Sequence, residues 1–479
     1  MRNSEDTTDR PGGKLASVIV VGGGLAGISA ACALADAGYQ VRLLERRPYL
    51  GGRASSYVHP GTGEVIDNCQ HVLLGNCTNL IALYRRLGVE QSICWFDEMT
   101  FIEPGGRKST LKPSGLPAPF HSLPSFLRAP AFSLSDKLAI ARGLAAFVRG
   151  LPPDSDETFA EWLARHRQTP GAIEHFWRPV LVSALNEDLD RISVRYAGQV
   201  MRLSLLASPS AGRMGIPSIP LSELYGHAAG YIEARGGQVL LRTAAESFSW
   251  SAEDRQWSVT TPQGSYRSDA VIFAPAFEGM SKLLPALPQN PDAARLAATL
   301  AEWEHSPITG IHLWFDRDIT NLDHAVLLGR TIQWMFHKSR LQPQTRSAQE
   351  GSYIELVVSA SKSLVERQRQ EIIDLAVAEL AEFFPAAAPA CLVKAAVVKE
   401  VRATYSIRPG MDAQRPAAIS PWPRAFLAGD WTATGWPATM EGAVRSGCLA
   451  AEAISRAANR PHRFLAPERP PSGLMKWFG

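Results

Sequence analysis

The most constraining stretch of this chain is its first apolar run. Val18-Ile19-Val20-Val21 passes directly into Gly22-Gly23-Gly24-Leu25-Ala26-Gly27. A short, continuous apolar run is the pattern of a strand buried on both faces of a parallel sheet. The Ala-rich stretch that follows predicts a helix through Ala37, closed by Gly38 as its C-cap. Val41 to Glu45 reads as a second strand. Together these pieces make a β-α-β unit of about thirty residues, which predicts an α/β fold with a parallel, Rossmann-like sheet.

The spacing Gly22-x-Gly24-x-x-Gly27 has a steric logic. The first glycine makes a tight turn, the second lets the backbone approach a pyrophosphate, and the third lets helix and strand pack closely. The helix start, at Leu25 and Ala26, offers free N–H groups and a positive dipole end. Glu45 follows at the end of the second strand, about twenty residues on, where a carboxylate can hold ribose hydroxyls. The loop from Glu45 through Arg46, Gly51, Gly52 and Arg53 adds a second approach to the phosphates, with arginine to neutralise them. A nicotinamide enzyme has no need of that second loop, so it points to FAD.

A third block lies near the end. Phe426-Leu427-Ala428 reads as a buried strand running into Gly429-Asp430, an acid placed to accept hydrogen bonds from ribityl hydroxyls. The helix start at Thr439 and Met440 would turn its N–H groups toward the electron-rich edge of the flavin. The nucleotide-binding pieces are therefore scattered, and the expected organisation is discontinuous. Residues 1–95, 213–278 and 421–460 form the FAD-binding domain. Residues 96–212 form a helical part facing substrate or membrane, 279–420 a substrate domain, and 461–479 a tail.

Between the blocks, helices are predicted over 135–150 and 366–383, and helical structure over 158–186. Prolines 113, 117, 119 and 124 argue against a regular helix between 113 and 127. Further strands are expected at 237–241, 257–260 and 270–274. Strands at 311–315, 353–359 and 397–401 suggest a second, antiparallel sheet carrying the 366–383 helix.

Composition bounds what else the chain can be. A length of 479 residues predicts two or three lobes. A net charge of +3 does not by itself imply nucleic acid. No apolar window is long enough for a spanning helix. The first seventeen residues lack the order of a secretory signal, so the expected location is the cytoplasm. Six cysteines without a C-x-x-C pair or zinc spacing predict reduced thiols and no metal.

With these segments in order, the chain resembles the phytoene desaturase and flavin-containing amine oxidase superfamily over most of its length. A finer resemblance sits in Asp67-Asn68-Cys69-Gln70-His71-Val72-Leu73-Leu74-Gly75, in Leu185-Asn186 and in the block from Ala428 to Ala443. These look like the squalene-associated desaturases, the hydroxysqualene dehydroxylases of hopanoid synthesis, with Cys69 standing where that pattern has Gly. The resemblance implies adenine contact by backbone near Ala245. It implies a flavin-facing position for the 67–71 stretch, where His71, with Asp67, could assist loss of a hydroxyl. The implied reaction converts hydroxysqualene and reduced flavin to squalene, water and oxidised flavin, with an electron donor that the sequence does not identify.

Alternatives at this stage are a carotenoid-type desaturase, running the same flavin oxidatively, and a flavin-binding escort without turnover. The apolar, Pro-broken segment Leu116 to Phe132 and the aromatic tail Gly473 to Gly479 have two readings, core cover and disordered tail, or peripheral attachment to a membrane surface from the cytoplasmic side.

Overall fold

The computed structural model describes residues 15–345 and 351–478. Most of the polar start and the final Gly479 lie outside the described residues.

A five-stranded sheet forms the nucleotide-binding layer. Its order is Gln238–Leu240, Gln40–Leu44, Ser17–Val21, Ala270–Phe273 and Ala425–Leu427, every pair parallel. Five segments spread over almost the whole chain thus meet in one layer, as the apolar runs predict. Ile19, Val20, Ile272 and Phe273 have no exposed surface. The helices Leu25–Asp36 and Met440–Ala457 pack on this layer and against each other. Gly447 permits that crossing, because a Cβ there would lie 2.2 Å from the carbonyl oxygen of Ala26.

The second large sheet has seven strands and is mixed, not purely antiparallel. Leu392–Tyr405, His305–Phe315, Ser352–Ser359, Trp334–His337 and His324–Leu327 pair antiparallel in that order. Met99–Ile102 then joins His324–Leu327 in parallel and is followed by Lys108–Leu111. The last two strands are four residues each, MTFI and KSTL, too short for alternation to mark them. The helix Arg369–Phe383 covers this sheet, begun by a capping box between Gln368 and Glu371.

Two local expectations need correction. Helical structure over 158–186 is interrupted. Phe159–Arg165 ends before Pro170, a π-helical turn spans Ile173–Trp177, and Arg178–Leu185 closes on Asn186 at φ +52°. In the Pro-rich segment a helix does form, Leu123–Arg128, because Pro124 falls in its first turn, where its missing N–H costs nothing. The helix Leu134–Val148 follows, started by a capping box of Ser133 with Asp136.

Candidate active site

The sequence places a strand, a sharp turn and a helix start around Gly22–Gly27, and the geometry explains each glycine separately. Gly22 sits at φ +111°, a conformation that side chains rarely adopt. A Cβ on Gly27 would lie 1.8 Å from the Gly22 carbonyl oxygen, so only glycine lets the helix start this close to the turn. Gly24 is different, since nothing lies nearer its Cβ position than Gly52 Cα at 3.9 Å. Space is therefore held open over Gly24, and no side chain caps the helix that begins at Leu25. Its first N–H groups are available to a phosphate.

The second glycine loop docks on the first. Gly51 N–H donates to the Gly23 carbonyl at 2.9 Å, and a Cβ on Gly52 would lie 2.9 Å from Gly24 Cα. Glu45 is buried and accepts from the N–H groups of Gly23 at 2.6 Å and Arg47 at 2.8 Å, which sets its carboxylate at the edge of the opening. Arg53 donates to Asp430 at 2.6 Å and to the Ala403 carbonyl at 2.8 Å. The phosphate-loop arginine and the terminal acid, expected to serve different parts of the cofactor, are thus ion-paired with each other. At the far end Thr439 Oγ1 accepts from Gly442 N–H at 3.1 Å and caps the last long helix.

One cavity of about 830 Å³ connects these parts. Gly22, Gly24, Leu25, Ala26, Glu45, Arg46, Gly51, Gly52, Arg53, Ala245, Gly429, Asp430, Thr439 and Met440 all line it, as does His71. Gly27 does not, being consumed by packing, and neither does Asp67. A channel of glycine backbone, an uncapped helix start and an arginine to donate to phosphates, with an edge carboxylate to accept from ribose hydroxyls, is the set of groups that an adenine dinucleotide requires, and the residues fit FAD.

Beyond the turn at residues 69–74 the same cavity becomes apolar. Phe101, Phe176, Val326, Trp334, Phe336 and Val357 line it. Trp334 and Phe336 point the same way because alternate residues of a strand share a face, and their rings run parallel at 5.6 Å. Trp334 Nε1–H is satisfied by Ser183 Oγ at 2.6 Å.

His71 and Asp67 have separate surroundings. His71 Nδ1–H donates to the Cys69 carbonyl at 2.7 Å, and burial holds its pKa below the usual value, so the ring is neutral near pH 7. Asp67 is bonded to Ser56 Oγ, the Leu221 N–H and the ammonium of Lys338, the last at 2.6 Å. Burial would raise its pKa, but Lys338 and those hydrogen bonds outweigh it, and the carboxyl lies below its usual range. Asp67 therefore makes its ion pair with Lys338 and has no hydrogen bond to His71.

Several residues of the site escaped the sequence reading. Lys338 and Glu355 are buried, yet a lone Lys and a lone Glu carry no motif. Glu441 was seen only as part of the terminal block. It is fully buried and accepts from Asn79 and Leu80, capping the helix Thr78–Leu87 across 361 residues of sequence. The aromatic lobe had a legible signal, the alternation Trp334-Met335-Phe336.

Among the described residues, no group of three or more His, Cys, Asp or Glu is placed to hold a metal. The sequence pattern of the flavin containing amine oxidoreductases matches residues 25–455. The chain belongs to that family; it is a flavin-containing oxidoreductase and its cofactor is FAD. Within the family its relatives lie on the phytoene desaturase side. It is 28% identical to the 15-cis-phytoene desaturase of Synechococcus elongatus, over 91% of this chain and 95% of that one. It is 29% identical to the hydroxysqualene dehydroxylase of Rhodopseudomonas palustris, over 91% and 98%. Among solved structures, an oxidoreductase of Methanosarcina mazei superimposes with a TM-score of 0.69 at 16% identity, over 92% of this chain and all of the other. A putrescine oxidase does so at 0.66 and 18%, over 92% and 99%.

Proposed function

We propose that this enzyme removes the hydroxyl of hydroxysqualene reductively and releases squalene. One observation carries the reading: the FAD-binding loops and a long aromatic lobe share a single cavity, with Gln70 and His71 at the turn where they meet. A C30 hydrocarbon chain fits such a lobe and leaves its one hydroxyl near the turn at residues 69–71. The hydroxyl departs as water with one proton, and the carbon it leaves takes a hydride, which reduced FAD supplies when bound. The chain's own work is to hold the hydrocarbon, exclude water and manage that proton. The faces of Phe176, Trp334 and Phe336 stabilise positive charge developing on carbon. His71, whose Nδ1–H is spent on the Cys69 carbonyl, can pass a proton only through Nε2. Asp67 serves the turn through Lys338.

A second reading is desaturation, the same site run with oxidised flavin. The similar identity to phytoene desaturases favours it. The experiment that separates them is anaerobic single turnover. Reduced enzyme mixed with hydroxysqualene should reoxidise its flavin and yield squalene by mass spectrometry. Flavin reduction on mixing oxidised enzyme with phytoene, without reaction toward hydroxysqualene, would favour the desaturase. Inertness toward both, with FAD bound, would leave the escort role.

We further propose peripheral attachment to a membrane surface through the segment around residues 116–132, where His121 and Ser122 line the cavity together with Lys112 and Pro113. Support comes from the apolar side chains exposed along and just beyond it, Leu127 at 55% exposure and Leu134 at 74% among them. The aromatic tail docks beside this segment through Leu474 N–H to the Ala118 carbonyl at 2.8 Å, with Trp477 84% exposed. Among the described residues no helix is long and apolar enough to cross a membrane.

A further inference from the structure

Lys338 is buried between two carboxylates, Asp67 at 2.6 Å and Glu355 at 3.4 Å. Its third partner is Oε1 of Gln70, at 3.0 Å. An ammonium carries donors only, so the oxygen end of the Gln70 amide must face it and the nitrogen end must face away. One Nε2–H donates to the His71 carbonyl at 3.1 Å. An amide nitrogen has two hydrogens, and the second is left over. Gln70 also lines the cavity, at the turn between the loop of Arg53 and Asn68 and the aromatic lobe.

We propose that Gln70 is a flavin-contacting donor and that Lys338 is its positioning residue, so that the amide offers its spare N–H to the ring system of bound FAD. The inference rests on FAD alone and holds whichever substrate the aromatic lobe takes. Two features make the donor effective. The contact to a cation fixes the amide in one of its two orientations and polarises it, and a donor fixed in advance stabilises the charge that a flavin gains on reduction. Asp67 balances the charge of Lys338 at 2.6 Å, so the ammonium acts on the cavity mainly by turning Gln70.

The test is the midpoint potential of bound FAD, measured anaerobically with reference dyes. Gln70→Glu keeps the length and the contact to Lys338 but removes both N–H donors and adds negative charge, while Gln70→Leu removes the amide alone. Both should retain FAD and shift the oxidised-to-reduced balance about tenfold toward oxidised flavin, which is ~30 mV for two electrons. Lys338→Met is made together with Asp67→Asn, which takes the 2.6 Å pair out as a neutral unit and leaves Glu355, freed from the pull of Lys338, to bury its carboxyl protonated. That double variant should show the shift of Gln70→Leu, and adding Gln70→Leu to it should shift the balance no further. Wild-type potentials in both Gln70 variants with full FAD would overturn the donor role. Additive shifts in the triple variant would overturn the positioning role.

Discussion

Gly24 lets FAD binding be separated from folding. Its φ of −75° suits any residue, and a Cβ would find no protein atom nearer than 3.9 Å. Gly24→Ala should therefore leave the apo fold within about 1 kcal/mol of wild type, the modest loss coming from a poorer N-cap. What the methyl group meets is the pyrophosphate, which must approach the backbone here to reach the N–H groups of Leu25 and Ala26. Forcing one extra carbon into a filled contact costs about 1–3 kcal/mol. At 1.4 kcal/mol per tenfold, FAD affinity should fall roughly 5- to 150-fold. Gly27→Ala is the control. Its Cβ would lie 1.8 Å from the Gly22 carbonyl, so it should lose folded protein itself. The assay is titration of apo protein with FAD, followed by flavin fluorescence, beside the melting temperature of each apo variant. Wild-type FAD affinity in Gly24→Ala would refute the reasoning, because the pyrophosphate would then have to pass elsewhere.

Three further outcomes follow from the geometry. If His71 is the proton donor, its buried ring has a lowered pKa and is mostly neutral near pH 7, so single-turnover rate should rise as pH falls below the usual histidine range. His71→Ala should keep FAD, lose about 10²–10⁴-fold in rate and flatten that profile. Glu355 is pushed by burial, against the pull of Lys338, up to about 7 from an ordinary 4.5. A raised carboxyl stabilises the fold below the unfolded pKa and loses that contribution as pH rises through about 7, so wild-type melting temperature should decline between those values and Glu355→Gln should decline less. For the membrane surface, Phe126 is a poor target because it packs against Phe132 and Phe176. Leu127→Ser with Trp477→Ser, both well exposed, should abolish flotation with liposomes while FAD content stays normal. Equal flotation would mean that these side chains are not the anchor.

Periodicity and turn chemistry made the nucleotide-binding layer legible, since its signals are local. A buried parallel strand must be apolar throughout, and a turn that meets a pyrophosphate must be glycine, so Val18–Gly27 carries its fold and its ligand in ten consecutive residues. The terminal strand and the helix after Thr439 were readable for the same reason. What could not be read is whatever depends on partners distant in sequence. Arg53 is separated from Asp430 by 377 positions and Lys338 from Asp67 by 271, and neither pairing leaves a trace in spacing. The sequence therefore offered His71 and Asp67 as neighbours by position. Folding turned His71 to the cavity and gave Asp67 to a lysine that opens the short helix Lys338–Leu341, just after the strand Trp334–His337 of another sheet. The aromatic lobe likewise exists only where strands at 99–102, 324–327 and 334–337 come side by side, because a cavity is a property of the surfaces that enclose it.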